Sequence, residues 1–162
     1  MGLYDQEKSS DLIAGLLATP YFLLLGHANG TLSIFDGEGF KPVSENGPGR
    51  IGTPVFLGRQ PGDDLTIVGE SHGVTFDGEH FKPLPSMAPL GIAAKLTCAV
   101  FDDLNPANLW VGFSAASEGG VALQQGADWL SFPMPAAVRH VAVSEPFLFL
   151  ATAREVVRRA KR

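Results

Sequence analysis

The sequence contains a single cysteine, Cys98, among 162 residues. One thiol excludes an internal disulfide, and no metal ligand stands at a suitable spacing beside it. Cys98 lies in the apolar run LTCAVF, which is typical of a buried strand. We therefore interpret it as a buried, inert thiol.

Basic residues are scarce outside the last nine positions. Residues 1–153 hold 16 acidic and 7 basic residues, whereas residues 154–162 hold one acidic and five basic residues. An acidic surface repels phosphate, so nucleic acid is not a favoured partner. The sequence joins an acidic body to a basic tail, residues 154–162, with Arg154, Arg158, Arg159, Lys161 and Arg162.

No apolar run is long enough to span a bilayer. The longest one, residues 12–26, is interrupted by Pro20, and a membrane helix needs about 20 apolar residues. The first residues lack the basic start of a signal peptide. We expect a soluble, cytoplasmic chain in which residues 12–26 form two buried strands around a tight turn.

Convergent catalytic groups are not apparent in the sequence. The adjacent carboxylates at Asp63-Asp64 and Asp102-Asp103 fall in turns, where Asp bonds nearby backbone. The histidines at related repeat positions lie in predicted loops and have no evident third metal ligand. We therefore predict no catalytic residue, no cofactor and no metal site, and we favour a binding protein over an enzyme.

The sequence is rich in turn-forming residues, with 19 glycines and 12 prolines. The phrase FDGEGFKP at 35–42 returns as FDGEHFKP at 76–83, and Gly126 and Trp129 keep the same spacing in a third copy. Before each copy stands an apolar run, a polar loop and an alternating run. This pattern predicts short antiparallel strands joined by tight turns.

The repeats predict several small sheets rather than one large one. A sheet of four short strands cannot bury both of its faces, but sheets stacked radially bury one another. We therefore predict an all-β, β-propeller-like domain over residues 1–162, with about four blades and the last one incomplete. The predicted units are 11–50, 51–91, 92–137 and 138–162, and the aromatic residues predicted to fill the gaps between blades are Phe40, Phe81 and Trp129.

One blade carries a family resemblance. Residues 105–129, NPANLWVGFSAASEGGVALQQGADW, resemble the blades of two-component-regulator and BNR-repeat propellers, which repeat a Leu-Trp-Val-Gly strand followed by a Gly-x-x-Trp turn. The Asp-box of BNR repeats has Ser and Asp where this chain has Ala122 and Gln124. The resemblance implies the fold and no particular activity.

The fourth unit has no predicted last strand. The N-terminal GLYDQEKSS could fill that position and close a four-bladed ring, or another chain could complete a larger propeller. That chain could be a second copy or another protein, and we favour completion by another chain. The tail REVVRRAKR could be a strand or a short basic helix, and its alignment with the second unit favours the strand.

Acidic residues concentrate in turns that share one face of a propeller. This placement predicts an acidic docking face for a basic partner, formed by Asp36, Glu38, Asp63, Asp64, Asp77, Glu79, Asp102, Asp103, Asp128 and Glu145. The loops predicted at the opposite face carry His27, Asn29, Glu70, His72 and Glu118.

These features favour a non-catalytic binding or scaffold module that mediates protein–protein interaction, with a protein partner or a second copy. Two other functions remain open. A carbohydrate-binding propeller would need exposed aromatic residues on repeated loops. A hydrolase or lyase would need acids and a histidine that converge at the central channel.

Overall fold

The computed structural model describes residues 12–43, 51–86 and 94–161. These residues form fifteen β-strands and no helix. The described segments therefore contain no helix that is long and apolar enough to cross a membrane.

The strands form four antiparallel sheets, each built from strands that follow one another in the chain. Sheet 1 contains β1 (Ile13–Ala18), β2 (Leu23–His27), β3 (Leu32–Phe35) and β4 (Phe40–Pro42). Sheet 2 contains β5 (Pro54–Arg59), β6 (Leu65–Gly69), β7 (Gly73–Phe76) and β8 (Phe81–Pro83). Sheet 3 contains β9 (Lys95–Phe101), β10 (Leu109–Ser114), β11 (Gly119–Gln125) and β12 (Asp128–Met134). Sheet 4 contains β13 (His140–Ser144), β14 (Phe147–Ala151) and β15 (Val156–Ala160).

The repeated phrase forms the hairpin between the third and fourth strands of sheets 1 and 2. Asp77 Oδ1 accepts the backbone N–H groups two and three residues further on, at 2.9 and 2.7 Å, and Asp36 does the same in sheet 1. Gly37 and Gly78 follow with φ of +97° and +104°, a region in which a side chain would be strained. Asp-Gly thus closes both turns.

Three apolar cores lie between consecutive sheets. Leu24 and Ile67 are buried between sheets 1 and 2, Val68 and Val111 between sheets 2 and 3, and Trp110 between sheets 3 and 4. Each sheet is therefore stabilised by its neighbours, as the repeat pattern predicts.

The first strands of the sheets contact one another in succession, β1 with β5, β5 with β9, and β9 with β13. Between described residues, β13 makes no comparable contact with β1. The four sheets therefore form an open arc.

The prediction of two buried strands in residues 12–26 is half wrong. β2 is largely buried, but Leu12, Ile13 and Leu16 are 79%, 57% and 62% exposed. The exposed residues lie in and beside β1, which is the first strand of the first sheet in the arc.

The tail is a strand, and the alternative of a basic helix is wrong. β15 pairs with β14 along its whole length, and its side chains alternate between the two faces of sheet 4. The Arg158 guanidinium lies 4.6 Å from the centre of the Phe147 ring. Arg159 lies 4.7 Å from the centre of the Phe132 ring, which belongs to sheet 3.

Candidate functional site

In the described part of the chain, sheet 4 ends at β15, which leaves one edge of that strand without a neighbour. The Lys161 N–H donates to the Pro146 carbonyl at 3.1 Å, and hydrogen-bonded pairs alternate along an antiparallel ladder. The backbone N–H and C=O groups of Val156, Arg158 and Ala160 therefore point away from β14. Such an edge can accept one more strand.

The side of sheet 4 that faces away from sheet 3, here called the trailing face, is partly apolar. Leu148 and Leu150 point into the core shared with sheet 3, so Phe147 and Phe149 between them point the other way. Their rings lie 6.4 Å apart in an edge-to-face arrangement, and both are only half-buried. Val156 beside them is 70% exposed.

The side of sheet 1 that faces away from sheet 2, here called the leading face, exposes Leu16. Sheets 1, 2 and 3 have equivalent positions in their first strands, two ladder pairs before the turn to the second strand. These positions are occupied by Leu16, Leu57 and Ala99. Leu57 packs in the core shared with sheet 1 and Ala99 in the core shared with sheet 2. Leu16 therefore points to where a preceding sheet would lie.

The three aromatic residues of the repeated turn occupy different surroundings. Phe81 stacks on Phe76 and packs in the core between sheets 1 and 2. Trp129 is buried, and its Nε1 donates to the Pro85 carbonyl, which follows sheet 2, at 2.8 Å. Phe40 is 40% exposed and contacts Phe35 of its own sheet. Interblade packing is thus not seen for Phe40, because it lies on the leading face.

Lys161 joins three acidic side chains from two sheets. Its ammonium lies 2.8 Å from Asp102 Oδ2 and 2.9 Å from Asp103 Oδ1, and it also pairs with Glu145. The Lys161 side chain is only 8% exposed. Trp110 Nε1 donates to the same Asp102 oxygen at 2.8 Å. This cluster fixes the end of β15 against the turns that follow β9 and β13.

The pKa values in this cluster reflect its pairing. Burial alone would lower the pKa of Lys161, but hydrogen bonds to Asp102, Glu145 and Asp103 outweigh it and raise the pKa well above its ordinary value. Burial would likewise raise the pKa of Asp102, but the hydrogen bonds from Lys161 and Trp110 lower it. The three acids lie close enough to hold a metal ion, but the ammonium already supplies a positive charge there.

Some acids of the predicted docking face make contacts within their own turns. Asp36 pairs with Lys41, and this pairing together with the Glu38 N–H holds the pKa of Asp36 at about 2. Asp63 pairs with Arg59. The structure corrects the prediction for Asp102, which is 6% exposed and lies within the Lys161 cluster. All the other acids of this set are exposed: Asp36, Glu38, Asp63, Asp64, Asp77, Glu79, Asp103, Asp128 and Glu145.

The residues predicted in the opposite loops are also divided. His27 is the last residue of β2 and only 5% exposed, with Nε2 2.8 Å from Ser33 Oγ, so its prediction as an exposed loop residue is wrong. Glu70 pairs with Lys95 of sheet 3 at 2.8 Å. Asn29 accepts the Thr31 N–H within its turn, His72 is half-buried, and Glu118 is exposed.

A cavity of about 390 Å³ lies between sheets 2 and 3. Its lining is mostly apolar, with Val68, Leu96 and Trp129, and includes Ser71 and His72. Among the described residues that line the cavity none is acidic, so none of them brings a carboxylate into it.

The sequence GESHG at 69–73 has the spacing G-x-S-x-G of a nucleophile elbow, so the expectation that the chain contains no such motif is wrong. It forms the turn between β6 and β7, and the Ser71 N–H donates to the Ile51 carbonyl at 2.9 Å. A nucleophile elbow joins a strand to a helix, whereas this turn joins two strands. The structural context of the motif is therefore missing.

The Lys161 cluster is the main feature that sequence reasoning missed. Asp102 and Asp103 were recognisable as turn residues, and Lys161 as part of the basic tail. Their contact spans 58 residues of chain, so nothing in the local pattern indicates it. The buried Cys98 and its pKa, which burial raises, agree with the interpretation of an inert thiol.

No family model and no curated protein matches this chain, but solved structures do. The extracellular domain of BT4673 from B. thetaiotaomicron superposes with a TM-score of 0.73 at 11% identity, over 94% of this chain and 21% of that one. The computationally designed Ika4 protein gives 0.73 at 13% identity, over 99% of each chain. YCF48 bound to a D1 peptide gives 0.65 at 14% identity, over 95% of this chain and 52% of YCF48.

These similarities establish the fold. The chain spans about a fifth of the BT4673 chain and about half of YCF48, and both are propeller-like proteins. The prediction of an all-β, propeller-like architecture is thereby confirmed: four antiparallel sheets of three or four strands each fit the blades of such a fold.

Proposed function

We propose that this protein is a non-catalytic binding module that docks a protein partner at the open end of its blade arc. The observation that carries the proposal is the edge of β15 that pairs with no described strand and whose outward backbone groups adjoin the half-buried rings of Phe147 and Phe149. A partner strand would satisfy the backbone groups, and its side chains would cover the rings. YCF48, which has the same fold, is solved with a bound peptide, and this supports a protein ligand.

The repeat family and the acidic face belong to the same proposal. Residues 105–129 support a relationship with two-component-regulator or BNR-type blades, since LWVG lies in β10 and Trp129 in β12. Within each sheet the first-to-second and third-to-fourth turns lie at the same end, because the strands are antiparallel neighbours. Exposed acids such as Glu38, Asp64 and Glu79 in these turns would speed the approach of a basic partner.

Site-specific photo-crosslinking tests the proposal. A photoreactive amino acid replaces Arg158 at the open edge, and a control chain carries it at Leu130, which is 50% exposed in β12. We expect a covalent protein adduct at position 158 in the cells that express the chain, and none at 130. An equal yield at both positions, or no protein adduct at 158, would overturn the proposal.

A proline substitution at the open edge of β15 tests whether the cross-linked partner pairs with this strand. Arg158 and Ala160 point their N–H groups outward, so Ala160→Pro removes an edge donor and leaves the ladder to β14 intact. The adduct at position 158 should disappear in this variant. An adduct that persists undiminished would show that the partner does not pair with β15.

A further inference from the structure

The leading and trailing faces are the two halves of a junction that already occurs three times in the chain. At the junction of sheets 1 and 2, Leu57 packs directly beside Gly15, where an added Cβ would lie 2.8 Å from Leu57 Cδ1. Leu16 stands in the register of Leu57 and is 62% exposed. Leu16 on the leading face therefore corresponds to Leu57, which packs against the preceding sheet.

The trailing face presents the surface that receives this residue. Val141 packs in the core toward sheet 3, so His140 and Ala142 on either side of it face away from that core. Both are exposed. Val141 and Val143 face sheet 3 as Leu57 faces sheet 1, so His140 and Ala142 stand on the side of sheet 4 that corresponds to the side of sheet 1 on which Gly15 meets Leu57. A leading face docked here would set Leu16 against His140 and Ala142.

Closure by the same chain does not account for these exposures. A ring closed within one chain would bury Leu16 against Ala142, yet both are exposed. In the part of the chain that the structure describes, β13 makes no comparable contact with β1. In the described residues the leading and trailing faces of one chain therefore do not cover each other.

The order of strands indicates how a docked copy would join this chain. In sheets 1 to 3 the fourth strand directly precedes the first strand of the next sheet, so a copy that docks its β1 beside β13 brings its own chain of sheets into register with this one. Sheet 4 has no described fourth strand. The N-terminal GLYDQEKSS, predicted as one candidate for that position, lies outside the described residues.

We infer that the partner at the open end is a second copy of this chain, so that two chains close one ring of eight sheets. The leading face of each copy packs on the trailing face of the other, which gives two identical junctions related by twofold symmetry. This inference rests on the proposed function and names its partner.

The mass in solution and one charge substitution test the inference. We expect light scattering to give twice the mass of a single chain. Leu16→Asp should raise the dissociation constant of the dimer by about 30-fold or more, because it places a charge in an apolar junction. Leu104→Asp is the matched control, because Leu104 is 63% exposed in a turn and its substitution should leave the dimer intact.

Cross-linking then separates the two modes of closure. Leu16→Cys with Ala142→Cys, treated with a short bismaleimide, should give a covalent dimer, whereas Leu130→Cys with Ala142→Cys should give none. A link within one chain would overturn the inference in favour of self-closure, and so would the absence of any link. A monomer whose position 158 cross-links to a different protein would overturn the second copy but retain the proposed function.

Discussion

At the residue scale, Lys161 shows how one side chain holds two sheets together. Its ammonium meets Asp102 and Asp103 after β9 and Glu145 after β13. Asp102 is 6% exposed and also accepts the Trp110 indole N–H. Removing the ammonium would leave a buried carboxylate without its counter-charge, which is more costly than losing a surface ion pair.

We predict that Lys161→Met lowers the free energy of unfolding by about 2 kcal/mol, measured by urea denaturation. Breaking a fully buried pair costs about 3–5 kcal/mol, and the loss is smaller here because Asp103 and Glu145 are partly exposed. Lys41→Met is the matched control, because Lys41 is 68% exposed and pairs with Asp36 at the surface. Equal effects of the two substitutions would contradict a structural role for the cluster.

The same cluster predicts a pH dependence of stability. Because the folded chain lowers the pKa of Asp102, this carboxylate stabilises the fold above its ordinary pKa of 3.8, and the contribution is lost as the pH falls through the folded value. Because the pKa of Lys161 is raised, its contribution is complete below 10.5 and is lost at still higher pH. The stability difference between the native chain and Lys161→Met should therefore be full near neutral pH and shrink in acid below about pH 4.

At the element scale, β15 is both a paired strand and an open edge. Val157 stands opposite Leu150, two ladder positions from the hydrogen-bonded pair formed by Arg159 and Leu148. Its N–H therefore points to β14, whereas the N–H of Arg158 points outward. Neighbouring residues of one strand thus have different roles, one in the fold and the other in the proposed binding.

Proline substitutions should separate these roles. Val157→Pro removes a donor from the ladder and should lower the free energy of unfolding by about 1–3 kcal/mol. Arg158→Pro removes an outward donor and should leave stability nearly unchanged while weakening association. Thermal unfolding followed by circular dichroism measures the first effect, and light scattering the second. Equal losses of stability would mean that the register of β15 differs from that described.

At the scale of the whole molecule, stability should vary along the arc. Sheets 2 and 3 are covered on both sides by neighbouring sheets, whereas no described sheet covers the outer face of sheet 1 or of sheet 4. In such stacked arrays each unit is stabilised mainly by its neighbours, so the end sheets should open first.

Hydrogen exchange read by mass spectrometry checks this expectation. Peptides from β6 and β10 should be the most protected, and peptides from β1 and β15 the least. At concentrations where two copies associate, the protection of β1 and β15 should rise together. Protection that is uniform along the chain would contradict the open arc, and protection of β1 and β15 that does not change with concentration would contradict the association of two copies.

Local chemistry made the hairpins predictable from the sequence. Asp-Gly followed by an aromatic residue specifies the same turn wherever it stands, and alternating apolar residues specify a strand with two different faces. The repeated turns at Asp36 and Asp77 and the strand in the tail could therefore be predicted without knowledge of their neighbours. So could the stacking of sheets, because none of them can bury its apolar faces alone.

The sequence by itself thus determined that this protein is a series of small antiparallel sheets. Only the tertiary structure decided which of these faces stay open, that His27 is buried, and that Lys161 meets Asp102. These outcomes depend on distances between residues far apart in the chain, which local patterns do not encode. The candidate binding site is of this second kind, because an open edge exists only where a neighbouring sheet is missing in space.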